Sequence, residues 1–203
     1  MGEMASDRIN NDYLSIRLQT YESPVWQELI VPGLAYISPT TLSLFYEQAS
    51  EQMEIGLQTD SIAYNGVIID DLNFALSGDN DAFNMQFGSG EVSAGPLALY
   101  EPAIGIIIDN DTAYTNILVK DSIGQASFVL STQLNKKDSS FYLHINADTL
   151  LLSGDAWQVS PDNYLLIQKN NITVNNFLLR NQEQALRVNS IQDRRDSLLV
   201  SFE

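Results

Sequence analysis

The chain has no cysteine and a single histidine, His144, in 203 residues. Without cysteine, neither disulfides nor thiolate chemistry can operate. With one histidine besides, a zinc site has almost nothing to draw on. Basic residues are scarce: 10 Lys and Arg face 26 Asp and Glu, for a net charge of −16. Binding to phosphate backbones or anionic membrane surfaces rests on cationic side chains, so nucleic acid is not expected as a partner. No apolar run approaches the roughly 18 residues of a membrane-spanning helix. Glycine-rich phosphate loops are missing too, since neither GxGxxG nor Walker A occurs.

What is present is apolar surface. Hydrophobic residues make up 44% of the chain, enough for a sizeable core and too many for disorder. No Ser/Gly-rich linker divides it, so one all-β domain over residues 1–203 is expected. The start, Met1-Gly2-Glu3-Met4-Ala5-Ser6, fits a myristoylation pattern. An expression-derived start explains it as well, and residues 1–6 are read that way. The end, Leu198–Glu203, reads as a strand cut short, which suggests a piece of a longer protein.

Period-two alternation dominates the pattern. Met53, Ile55 and Leu57 face one way and Glu54, Gly56 and Gln58 the other. Leu72, Phe74 and Leu76 alternate with Asn73, Ala75 and Ser77, and Phe83, Met85 and Phe87 with Asn84 and Gln86. Ala126, Phe128, Leu130, Thr132 and Leu134 precede Phe141, Leu143, Ile145 and Ala147, with a hairpin turn expected over Asn135–Ser139. One apolar and one polar face per strand predicts curved, mainly antiparallel sheet. Between Val174 and Phe177 the apolar parity slips, so a β-bulge is expected at Asn175-Asn176. A short helix is predicted near Pro24–Leu29, from the Ser23 cap and the following proline. Thr41–Gln52 reads as strand. Leu-Ser-Gly-Asp occurs at 76–79 and 152–155, and Asp-Ser at four places; repeated hairpin chemistry accounts for both.

Candidate chemistry is thin. His144 falls on the polar face of its strand and is expected to be solvated. No G-x-S-x-G elbow exists; Glu91-Val92-Ser93-Ala94-Gly95 fails at its first position. Asp79-Asn80-Asp81 and Asp109-Asn110-Asp111 resemble calcium loops. Counted as EF-hands, they put Asn84 and Tyr114 where glycine belongs, and Gly90 and Lys120 where the bidentate Glu belongs. Both are read as surface turns. With 26 acidic residues, a glycosidase-like carboxylate pair arises by chance. Asn110-Asp111-Thr112 and Asn171-Ile172-Thr173 match a glycosylation pattern short enough to occur by chance. Trp26 and Trp157 could stack on sugar rings, but packing at a sheet edge is the commoner use. No enzyme activity, cofactor or catalytic metal is expected.

One stretch carries more. Trp157, Val159, Pro161-Asp162-Asn163-Tyr164, Ile172-Thr173-Val174 and Asn176-Phe177 resemble the C-terminal region of Bacteroidota TamB-type proteins. These form the translocation and assembly module family of the AsmA-like superfamily. Asn65-Gly66, Asp70–Phe74, Ala94–Leu97, Asp111–Ala113 and Phe141–Leu151 extend the likeness. The resemblance implies a periplasmic protein anchored in the inner membrane, whose curved sheets form a trough, or β-taco, with a hydrophobic interior. It implies phospholipid transport toward the outer membrane, or assistance in outer-membrane protein assembly beside an Omp85/TamA-type barrel. The expected partners are phospholipid acyl chains, that barrel and neighbouring segments of the same chain.

On that reading Leu72, Phe74, Phe83, Met85, Phe87, Phe128, Leu130, Phe141, Leu143 and Ile145 would line the groove, each on the apolar parity of its strand. An extracytoplasmic β-sandwich, binding or structural, has the same patterning: its two apolar faces would simply pack on each other.

Overall fold

A computed structural model describes residues 12–21, 23, 25, 28, 31–148, 150–169, 171–182, 184–191 and 198–202. Strand takes up 73% of them, and every strand pairing is antiparallel. The expected all-β fold of curved antiparallel sheet is therefore what the chain adopts. Residues 1–6 and most of the expected helix at Pro24–Leu29, Trp26 included, lie outside the described residues.

The strands are β1 (Tyr13–Thr20), β2 (Leu34–Ile37), β3 (Thr40–Glu47), β4 (Gln52–Tyr64), β5 (Val67–Gly78), β6 (Ala82–Gly88), β7 (Glu91–Ala94), β8 (Leu97–Asp109), β9 (Thr112–Lys120) and β10 (Ala126–Lys137). Then come β11 (Ser140–Ile145), β12 (Leu151–Leu152), β13 (Asp155–Ala156), β14 (Gln158–Val159), β15 (Tyr164–Gln168), β16 (Asn171–Asn175), β17 (Phe177–Asn181), β18 (Gln184–Ser190) and β19 (Leu198–Phe202). Among the described residues fifteen strands form one sheet, along the path β1-β3-β4-β5-β6-β8-β9-β10-β11-β15-β16. Open sheets of more than about ten strands curl or split, and this one has eleven on its path. A second sheet follows the order β14-β17-β18-β19.

The meander follows from its turns. Tyr64 pairs with Val67 across Asn65-Gly66, both at positive φ (49° and 81°). Such a two-residue hairpin loop needs residues that tolerate the left-handed region, and its twist matches that of the strands. Ser153-Gly154 does the same between Leu152 and Asp155. The two Leu-Ser-Gly-Asp copies thus differ: Gly154 turns the chain, whereas Gly78 stays in β5 opposite Phe83. The hairpin expected over Asn135–Ser139 is narrower than its composition suggests. Lys137 already pairs with Ser140, leaving Asp138-Ser139 as the loop, with Asp138 at φ 54°. Thr40–Glu47 is strand as expected, and the chain turns before Gln52.

The bulge expected at Asn175-Asn176 is corrected. Asn175 ends β16 in the large sheet, Asn176 takes φ 51°, and Phe177 opens β17 in the small sheet. The parity slip marks a change of sheet, not an extra residue within one ladder. Asn189 Oδ1 accepts from Asn176 N–H at 2.7 Å, and Ser190 Oγ accepts from Val174 N–H at 2.8 Å, so the corner is tied to β18.

Where the Pro161-Asp162 turn meets β11, one side chain replaces a strand. Asn163 is 1% exposed. Its Oδ1 accepts from Ile145 N–H at 2.9 Å, and its Nδ2 donates to the Ile145 and Ser160 carbonyls at 2.7 Å each. The amide thus satisfies both backbone groups of Ile145, which would otherwise sit without partners where the ladder ends. Asn163→Ala leaves these groups unpaired, and we expect it to cost about 2–4 kcal/mol. Urea unfolding checks this: the midpoint should fall at an unchanged slope, and a midpoint equal to that of the parent would refute the role.

Candidate functional site

The large sheet carries its apolar side chains in rows across the strands. Paired residues of antiparallel strands share a face. Leu18, Leu42, Leu57, Phe74, Phe87, Ile104, Ile117 and Leu130 stand opposite one another in eight successive strands. Beside them runs a second row, Ile16, Leu44, Ile55, Leu76, Met85, Ile106, Thr115, Thr132 and Ile145. A third runs Leu14, Tyr46, Met53, Gly78, Phe83, Ile108, Ala113, Leu134, Leu143, Leu165 and Val174. No charged residue interrupts these rows, although the chain carries 36 charged side chains in all. The reverse face at the same level is polar or small: Ser43, Gly56, Ala75, Gln86, Gly105, Asn116 and Ser131.

All ten residues expected to line a groove lie on this one face. Phe74 and Phe87 belong to the first row with Leu130, Met85 and Ile145 to the second, and Phe83 and Leu143 to the third. Leu72, Phe128 and Phe141 sit two residues further along β5, β10 and β11. None of the ten is buried: nine are half-buried and Phe141 is 40% exposed. Of the ten, Leu130 and Ile145 also pack against residues outside the large sheet.

One end is different. Leu150, Val159 and Leu179 form a buried cluster, against which Leu130, Ile145, Leu152, Trp157, Phe177 and Leu186 pack. Leu179 and Leu186 come from the small sheet, so that sheet closes over the face at Leu130 and Ile145. Trp157 is used here as packing. Among the described residues only Leu34, Pro102 and Val174 are further buried apolar side chains. The face therefore holds a packed core near β10–β11, whereas over β3–β9 its apolar side chains are mostly half-buried.

A fourth apolar row escaped the sequence reading. Ile37, Ile62, Ile69, Val92 and Leu99 stand opposite one another in β2, β4, β5, β7 and β8. Ile62 lies five residues beyond Leu57, on the opposite parity, so this row occupies the reverse face. The switch from Leu57 to Ile62 was legible as a change of parity within one strand. Its alignment across five strands was not, because that depends on register.

The remaining candidates have local explanations. His144 is half-buried rather than solvated, with Nδ1 2.7 Å from the Asn163 carbonyl oxygen. Asp79 Oδ1 accepts from the N–H groups of Asp81 and Ala82, at 2.9 and 3.0 Å, which is a turn closing on itself. Those donors, Asp81 first, hold the Asp79 carboxyl below its ordinary 3.8. A depressed folded pKa means the contribution is present above the unfolded value and lost as pH falls through the folded one. The stability difference between the protein and Asp79→Ala should therefore be constant above about pH 5 and shrink below about pH 4. A pH-independent difference in urea midpoints would contradict this.

Closed and open parts should also respond differently to truncation. Leu150→Ala empties a packed site and should cost about 2–5 kcal/mol. Phe74→Ala removes a side chain already half in water and should cost about 1 kcal/mol. Equal losses of unfolding free energy would mean that the face is covered throughout. Compared with known proteins, the chain matches no family model, no curated protein and no solved structure.

Proposed function

We propose that this chain is a non-enzymatic module that holds the acyl chains of phospholipid on the apolar face of its large sheet. On the resemblance to TamB-type proteins it acts in the periplasm, within a longer protein anchored in the inner membrane. There it conducts phospholipid toward the outer membrane or assists protein assembly beside an Omp85/TamA-type barrel. The observation that carries the reading is the run of three uncharged, mostly half-buried rows across β3–β9, in a chain of net charge −16. Each half-buried Leu or Phe forgoes part of the roughly 1.5–3 kcal/mol that full burial supplies, so such a face favours an apolar occupant. Acyl chains satisfy it without specific polar chemistry.

The closed end favours a second reading, an extracytoplasmic β-sandwich that binds or serves structurally. There the small sheet packs over Leu130 and Ile145 as a sandwich layer would. The two readings diverge at β5 and β6. Photo-crosslinking side chains placed at Phe74 or Phe87, in the full-length protein in cells, should capture phospholipid. The same groups at Ala75 or Gln86, on the reverse face, should not. Equal labelling of both faces, or none at Phe74 and Phe87, would remove the groove and leave the sandwich.

A further inference from the structure

An open cavity of about 280 Å³ lies beside the third apolar row, at the edge of the face. Ile108, Ala113 and Leu134, opposite one another in β8, β9 and β10, form its floor with Phe141. The same cavity is lined by one cation and one anion, Lys136 and Asp111. The two are held close by the backbone, since Lys136 N–H donates to the Asp111 carbonyl at 2.8 Å. Among the described residues the only ion pair is Lys120 with Glu101. Lys136 and Asp111 thus line one cavity without forming an ion pair.

In a chain with 10 cationic side chains against 26 anionic ones, an uncommitted lysine above an apolar floor is a notable placement. We propose that this cavity receives the headgroup of a zwitterionic phospholipid, its phosphate on Lys136 and its ammonium on Asp111, with the acyl chains running onto the rows beyond Ile108 and Leu134. This rests on the acyl-binding reading above and adds to it a headgroup class. A headgroup carrying only negative charge would satisfy the lysine but face the carboxylate, and like charges in one site are unfavourable. A primary or quaternary ammonium beside the phosphate pairs both.

The test is an amide NMR titration of the protein with four soluble probes, each kept below micelle formation. They are dihexanoyl phosphatidylethanolamine, dihexanoyl phosphatidylglycerol, dihexanoylglycerol and free O-phosphoethanolamine. The first should bind at least about fivefold more tightly than the second, the scale expected of a partly exposed charge pair. Its shifts should centre on Asp111–Ala113 and Leu134–Lys136. Lys136→Gln should weaken both phospholipids by about fivefold and leave dihexanoylglycerol unchanged. Asp111→Asn should abolish the preference for the ethanolamine lipid. Both positions are exposed, so neither change should disturb folding.

If dihexanoylglycerol binds as tightly as the phospholipids, or neither substitution discriminates between headgroups, the headgroup site is refuted while the acyl groove stands. If O-phosphoethanolamine alone binds as tightly as its lipid, the occupant is a free phosphate ester and not a lipid. If none of the four binds, the acyl-binding reading falls and the headgroup site with it.

Discussion

The backbone ladder is what this structure depends on. Among the described residues only five apolar side chains besides Pro102 are buried, so a central core cannot be the main source of order. Order comes instead from strands that each pair on both sides, through β3, β4, β5, β6, β8, β9, β10, β11 and β15. Every ladder bond satisfies backbone groups that would otherwise be stranded. Every pairing also brings side chains of like parity into lateral contact. The sheet is stable as a surface more than as a filled volume, and its apolar rows are a consequence of that arrangement.

The same dependence explains why irregular points are so carefully satisfied. Where the ladder stops beyond β11, Asn163 takes over with its amide, and His144 joins the same loop through the Asn163 carbonyl. Where the chain leaves β16 for β17, Asn176 turns through positive φ while Asn189 and Ser190 hold the corner. These polar ties place the small sheet over Leu130 and Ile145, and so decide how much of the apolar face stays open. A loss at Asn163 would thus be felt in the shape of the face as well as in stability.

Electrostatics and the apolar face are separated by the alternation itself. With 26 acidic residues, the chain needs somewhere to keep its charge in water. Strand parity and turns supply that place: Glu54 lies on the reverse face, and Asp79, Asp81 and Asp111 lie in turns beyond the strand ends. The face is thereby left uncharged along three rows, with Thr115 and Thr132 among their few polar side chains. An apolar occupant with a polar end suits such a cross-section, and the cavity at Lys136 and Asp111 gives that end a position.

Much of this was legible from residues alone. Alternation in Leu72–Leu76, Phe83–Phe87 and Phe128–Leu134 determined strand type and the inward parity, because a period of two leaves only one way to segregate apolar side chains. The hairpin turn within Asn135–Ser139, which Asp138 makes at positive φ, was readable from its composition. Three things were decided only by tertiary structure. Register aligned the separate parities into rows, and the sheet change at Asn176 imitated a bulge because both shift parity by one residue. The third was the placement of the small sheet over Leu130 and Ile145, which made one end of an otherwise uniform pattern a packed core. Local sequence sets the face to which each side chain points. What stands opposite that face depends on contacts between residues far apart in the chain, and strand patterning is the same whether the opposing layer is protein or an acyl chain.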